Sequence, residues 1–192
     1  MPKTETFDRV SVMDRVTELF RTKGYNGTSM QDIVDVSGLN RSSLYNSFGD
    51  KYQLFLAALK HYKGNYEKET ISCLFNHSPR ESLEAFFENI ARSIRDKKSD
   101  FQGCFLTNST AELANRDSEI AAFLSSNLED MIRLFSDILE KGIEQGEFSP
   151  DMNVRTTALY LFSSLQGLQL IGMLTRSDQD IKKLIQRILS TL

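Results

Sequence analysis

The sequence predicts an all-α protein: an N-terminal three-helix helix-turn-helix head followed by a larger helical C-terminal body. Three observations lead there. The chain has only three prolines and ten glycines in 192 residues. It lacks the long apolar/polar alternation that a half-buried strand requires. Its apolar residues instead recur at helical spacing, in segments set off by capping signals.

The head can be read element by element. The first helix runs from Asp8 to Lys23, with Val12, Met13, Val16, Leu19 and Phe20 in one stripe and Gly24 as its stop. Thr28, with Gln31 three residues on, forms a capping-box pattern that opens a second, short helix. Ser37 and Gly38 end it. Asn40 is the expected N-cap of a third helix. Gly49 and Asp50 end that helix and cap a fourth, whose stripe is Leu54, Phe55, Ala58, Leu59 and Tyr62, reaching to about Phe75.

The body follows the same logic. Ser78, Pro79 and Glu81 supply a cap, a proline at the first helical position and an acid at the third. That helix carries Leu83, Phe86, Phe87, Ile90 and Ile94 and stops in the polar run Asp96–Asp100. A shorter segment extends from Cys104 to Asn115. Asp117 and Ser118 open a long helix to Gln145, closed by Gly146. Ser149, Pro150 and Asp151 make a loop. The stretch Asn153 to Leu174 is strongly apolar, and Gln179 to Leu192 forms a last helix. The expected division is a head over residues 1–52 and a body over residues 53–192.

Composition narrows the function classes. Hydrophobic residues at 40% and charged residues at 26% match a soluble globular chain. No apolar run approaches the length of a membrane span, and the N-terminus has no hydrophobic stretch. Cys73 and Cys104 make neither a disulfide framework nor a metal-site spacing. The expectation is a cytoplasmic protein with no membrane partner, no metal and no cofactor. An enzyme is not expected: the two histidines, His61 and His77, lie in no nucleophile, metal or phosphate-loop motif.

The net charge of −3 argues against a broad basic surface. Its distribution is uneven. Residues 1–63 hold nine Lys/Arg against seven Asp/Glu, and the remainder fourteen against nineteen. A slightly basic head on an acidic body suits a DNA reader whose body stays off the phosphates.

The third helix carries the distinctive chemistry. At about 100° per residue, Leu44 and Phe48 share one side, and Ser42 and Asn46 fall opposite, flanked by Ser43 and Tyr45. Short side chains let a backbone approach the major-groove floor, and Ser and Asn bond to base edges. Arg41 can reach a guanine edge or a phosphate, and Tyr45 a phosphate. Lys51, Thr28 and Ser29 sit at helix starts, where peptide N–H groups hold phosphate. The expected DNA-binding set is therefore Thr28, Ser29, Arg41, Ser42, Ser43, Tyr45, Asn46 and Lys51. The competing reading is a helix–turn–helix packing unit with a solvated polar face.

Over about the first 60 residues, the order and spacing of Leu19-Phe20, Gly24-Tyr25, Thr28-Ser29, Ile33, Gly38, Leu44-Tyr45, Phe48, Lys51 and Leu54 resemble the head of the TetR (tetracycline-repressor-like) family of bacterial transcription regulators. Val34 and Val36-Ser37 stand where smaller residues are common in that family, and Asn46-Ser47 replaces a frequent His-Tyr-like pair. The resemblance implies a homodimer on palindromic double-stranded operator DNA, with two recognition helices in successive major grooves. It also implies repression released by a small-molecule effector bound in the body.

In the body, the apolar stretch from Leu159 to Ile171 and the last helix are expected to form a twofold four-helix interface. Its members would be Leu159, Phe162, Leu165, Gln169, Ile181, Leu184, Ile185 and Ile188. Without a partner copy, the same residues would simply be core. An effector pocket is expected from Phe86, Phe87, Phe105, Phe123, Met131, Phe135 and Tyr160, with Asn108, Gln166 and also Gln169 as polar contacts. Few body charges aim inward, so an apolar, neutral effector is the expected ligand. Cys104, at a helix start, is a candidate pocket residue and a candidate sensor of electrophiles or oxidants, as some regulators of this kind carry. Against that stands the habit of cysteine to be buried and inert. The rival to DNA reading is a helical protein-interaction module.

Overall fold

The computed structural model describes residues 7–72, 77–96, 101–175 and 177–192. The expectations for Cys73, for the fourth helix's end near Phe75, and for most of the polar run 96–100 lie outside the described residues. Within them the fold is all helical. The helices are α1 (Arg9–Lys23), α2 (Met30–Ser37), α3 (Arg41–Phe48), α4 (Lys51–Ser72), α5 (Pro79–Arg95), α6 (Phe105–Leu113), α7 (Ser118–Glu144), α8 (Val154–Leu174) and α9 (Asp178–Leu189).

Most helix starts follow from local capping chemistry. Asp8 accepts the Val10 N–H at 3.0 Å to open α1. Asn40 accepts the Ser43 N–H at 2.8 Å to open α3. Ser78 and Glu81 close a reciprocal capping box on α5, and Asp117 and Asn153 cap α7 and α8. The start of α2 departs from expectation by one residue. Its N-cap is Ser29, and the box is closed by Asp32, not Gln31. Thr28 is only 1% exposed, and its hydroxyl donates to the Gly24 carbonyl at 2.6 Å. With Thr28 held on the end of α1, the cap passes to the next residue.

Two apolar cores result. The first is built by Val12, Val16 and Phe20 of α1, Ile33 of α2, and Leu44 and Phe48 of α3. It continues across residue 52 into Leu54, Phe55 and Leu59 of α4, Phe105 of α6 and Ile120 of α7. Edge-to-face rings run through it, Phe20 on Phe55 at 5.1 Å and Phe55 on Phe105 at 5.5 Å. The head is thus seated on the body by shared packing. The second core joins α5, α7, α8 and α9 through Leu83, Phe86, Phe87, Phe135, Leu161, Ile181 and their neighbours. Gly172 lets α8 approach α5, because a Cβ there would lie 2.8 Å from Ile94.

One expectation about apolar runs is amended. On length and composition α8 could cross a membrane. Here its inner face, with Ala158, Leu161, Leu165 and Leu168, is buried against the rest of the body.

Candidate nucleic-acid interface and body cavity

The turn between α2 and α3 is set by Gly38, whose φ of 71° lies in the left-handed region. Two arginines of α1 then fix both short helices from behind. Arg15 donates to the Val36 and Ser37 carbonyls at 2.8 and 2.9 Å, capping the C-terminus of α2. Arg9 donates to the Ser47 carbonyl at 2.9 Å and lies over the Phe48 ring, capping the end of α3. Each places a cation at the negative end of a helix dipole. These roles were not visible in the sequence, since a carbonyl partner some 20 to 40 residues away leaves no local signal.

Held this way, α3 buries Leu44 and Phe48 and exposes Arg41, Ser42, Tyr45 and Asn46, with Ser43 half-buried beside them. Among the described residues, none of the four exposed side chains has a hydrogen-bond partner within the protein. This is the polar, short-chained face that the sequence predicts.

The expected phosphate clamps fare differently. Lys51 opens α4, with its ammonium over the Tyr25 ring at 4.3 Å. Thr28 is buried with its hydroxyl committed to Gly24, so it presents nothing to a phosphate. At Ser29, both the N–H and the hydroxyl donate to Asp32, at 2.8 and 2.7 Å. Asp32 is also paired with Lys23 at 2.6 Å. That lysine, together with the Ser29 donors, holds its carboxyl well below the usual range. A fixed carboxylate at the start of α2 takes the place an anion would otherwise use.

The body reaches the head through α6. The Glu112 carboxylate accepts the Tyr25 N–H at 3.0 Å, and the Asn26 N–H and side-chain amide at 2.8 Å each. Tyr52 of α4 donates to Asp117 at 2.9 Å and Glu119 at 3.1 Å, tying the head to the start of α7.

Beside α6 lies a cavity of about 450 Å³, walled by α4, α6, α7 and α8. Of the expected pocket residues, Cys104, Met131, Gln166 and Gln169 line it. Phe86, Phe87, Phe105 and Phe135 do not. These rings are fully buried in the two packed cores, where large planar groups fill closed space. Phe123 packs on the first core under Lys63, and Tyr160 projects outward. The Asn108 amide donates to the Gln102 carbonyl at 2.9 Å. The remaining walls are Leu106, Leu124, Leu128, Leu159, Phe162 and Leu165, with a further polar lining from Thr107, Thr110, Ser125, Asn127 and Ser163. A signal for these was present: Ser163, Gln166 and Gln169 recur every three residues along an otherwise apolar helix.

The expected dimer residues divide three ways. Leu159 and Leu184 are exposed, Phe162, Leu165 and Gln169 face the cavity, and Ile181, Ile185 and Ile188 are buried in the body core. The α9 stripe faces inward, which removes those isoleucines from any surface. The apolar surface is carried by Leu159, Tyr160, Leu170, Ile171 and Leu174, with Leu184 of α9. Cys104 is 8% exposed at the N-cap of α6, makes no side-chain cap there, and adjoins Tyr62. Burial, and next the neighbouring thiol, push the Tyr62 phenol well up.

Comparison with known proteins agrees with this architecture. Residues 12–58 match the family model described as bacterial regulatory proteins, tetR family, and residues 79–188 match the tetracyclin repressor-like C-terminal domain. The chain is 30% identical to the HTH-type transcriptional regulator YezE of Bacillus subtilis (strain 168), over 94% of this chain and 93% of that one. It is 29% identical to the HTH-type transcriptional repressor ComR of Escherichia coli (strain K12), over 96% and 87%. Among solved structures, a cysteine mutant of the TetR family transcriptional regulator CifR, complexed with 26bp double-strand operator DNA, superposes with a TM-score of 0.84 at 24% identity, over 98% of each chain. With its head and its body each matched and a relative aligned along nearly its whole length, the chain belongs to the TetR family of bacterial regulatory proteins.

Proposed function

We propose that the protein is a homodimeric DNA-binding transcriptional regulator, a repressor that leaves a palindromic operator when a small uncharged molecule enters the body cavity. The observation that carries this reading is the outward face of α3. Among the described residues, Arg41, Ser42, Tyr45 and Asn46 have no intramolecular hydrogen-bond partner, on a helix clamped by Arg9 at one end and capped by Asn40 at the other. Side chains presented this way suit base edges, with Ser43 beside them, while Arg41, Tyr45 and Lys51 suit phosphates. Residues 1–52 act as the DNA-binding unit and residues 53–192 as the effector-binding and dimerisation unit. The outward apolar face of α8 and α9 pairs with its twofold copy, which sets the spacing of the two α3 helices. The relatives named as repressors and the operator complex of CifR support the same reading.

The test is a gel shift with DNA flanking the protein's own gene, across a salt series. Expected is a discrete complex whose affinity falls steeply with salt, as counterions are released. No complex at low salt would reject the reading and favour a protein-interaction module.

A second reading of the trigger rests on Cys104, whose thiol lies on the cavity wall at the start of α6. In that reading an electrophile bonds to the sulfur inside the same cavity. Brief alkylation followed by mass spectrometry separates the two: an unlabelled native Cys104 removes the thiol trigger.

A further inference from the structure

The cavity's polarity is specific enough to name a ligand chemistry. Among the described residues, its lining contains no Asp, Glu, Lys, Arg or His. A charged ligand entering it would lose its hydration without meeting a counter-charge, and that loss outweighs anything hydroxyls and amides return. The volume falls in the range of roughly 300–1,000 Å³ typical of small-molecule sites.

One wall group is left incomplete. Gln169 of α8 is 5% exposed, and its carbonyl oxygen accepts the Thr107 hydroxyl of α6 at 3.2 Å. Its amide nitrogen, with two N–H donors, has no acceptor among the described residues. The nitrogen is not sealed off from the cavity, so its donors are open to an entering ligand, and a ligand that covered them without offering an acceptor would make them costly to bury. Gln166, one turn earlier on the same wall, also carries a carboxamide with no partner among the described residues. The apolar lining includes Leu124, Leu128 and Met131 of α7 and Phe162 of α8.

We infer that the cavity takes an uncharged molecule with an apolar body and a carbonyl-type acceptor oxygen, and that the Gln169 amide N–H donates to that oxygen. The inference rests on the reading of this cavity as the effector site, and it adds the chemistry and the residue that recognises it. An apolar ligand without an acceptor would leave the Gln169 donors open. A carboxylate would satisfy them but bring an uncompensated charge.

The chain has no tryptophan, so a fluorescent probe can be followed without background. Three probes of similar size decide the matter with the full chain. 6-Propionyl-2-(dimethylamino)naphthalene is neutral and carries a ketone. 2-(Dimethylamino)naphthalene lacks the ketone. 8-Anilinonaphthalene-1-sulfonate carries a charge. The ketone should bind with blue-shifted emission, about tenfold tighter than either of the others, the worth of one buried hydrogen bond. In Gln169→Met the advantage of the ketone over its carbonyl-free parent should vanish. Equal binding of the two neutral probes to the wild type, equal or tighter binding of the sulfonate, or an unchanged ketone advantage in Gln169→Met would each overturn the inference. The probe comparison on wild-type protein stands even where the variant fails to fold. DNA binding is measured on the same preparations. Protein that binds the ketone as described but shifts no DNA defeats the proposed function alone. Protein that shifts DNA but shows no ketone preference defeats the ligand inference alone.

Discussion

The Glu112 carboxylate of α6 takes both the backbone N–H and the side-chain amide of Asn26, each at 2.8 Å, in the loop that leads into α2. It also takes the Tyr25 N–H. A single side chain from the body therefore fixes the loop that positions the helix-turn-helix. Glu112→Ala should leave the helix content unchanged and speed hydrogen exchange at the Tyr25 and Asn26 amides. Exchange rates identical to wild type at those two amides would show that the loop holds itself.

Residues of the head should separate into DNA contacts and structure. Tyr45→Ala and Lys51→Ala should each weaken operator binding about fivefold to tenfold, and Lys51→Ala should lower the salt slope by about 1. Thr28→Val should leave DNA affinity unchanged. It should lower stability by about 1 kcal/mol, because the lost bond is internal, from a buried hydroxyl to the Gly24 carbonyl. Anisotropy titrations and urea melts on the three variants read both effects.

The outward face of α8 and α9 should govern assembly. Ile171→Glu and Leu184→Glu place charge on the exposed apolar surface without touching the buried stripe of Ile181, Ile185 and Ile188. Sedimentation should show at least a tenfold weaker dimer in each, with a matching fall in operator affinity. Dimers as tight as wild type would move the interface elsewhere.

Gly142 of α7 marks a close approach. The Phe148 N–H and the Glu147 N–H both donate to its carbonyl, and a Cβ there would lie 2.2 Å from the Phe148 ring. Alanine gains about 1 kcal/mol of helix propensity. Displacing a ring that is buried and lies under Arg80 costs more. Gly142→Ala should therefore lose about 1–2 kcal/mol net, as a lower urea midpoint with an unchanged slope.

Asp117 gives the head–body joint a pH dependence. The Ile120 N–H, and after it the Tyr52 phenol, hold its carboxyl below the usual range. A depressed carboxyl stabilises the fold above its unfolded value of about 3.9, and that contribution fades as pH falls through the folded value. Asn also caps helices well, so Asp117→Asn removes the charge and keeps the cap. The stability difference between wild type and variant should shrink as pH drops from 6 toward 3. A difference that stays constant over that range would remove Asp117 as its source.

Local chemistry made most of the helices legible in the sequence. Asn40, Ser78, Asp117 and Asn153 cap because the donors they serve are two or three residues away. Thr28 misled because its partner, Gly24, belongs to a turn whose burial no local pattern announces. The outward polar face of α3 was legible because Leu44 and Phe48 fix which side of the helix is inward. In the body, periodicity was a weaker guide. The isoleucines of α9 mark a buried face without saying what buries it, and the answer was the chain's own core. The aromatic residues went to closed packing, where their volume is best used. The cavity fell to smaller and more polar side chains. Glu112, Arg9 and Arg15 act across long sequence separations, so nothing in their neighbourhood pointed to them.

Among the described residues the outward side chains of α3 bond to nothing else, whereas Leu44, Phe48 and the arginine clamps hold the helix without them. Under the proposed function, binding preference and fold stability are therefore written in different residues. Under that function, exchanging Ser42 or Asn46 would redirect the protein to other DNA sequences at little cost to the fold. A lineage can drift from one binding site to another through substitutions at these positions, with no folding defect to block the path.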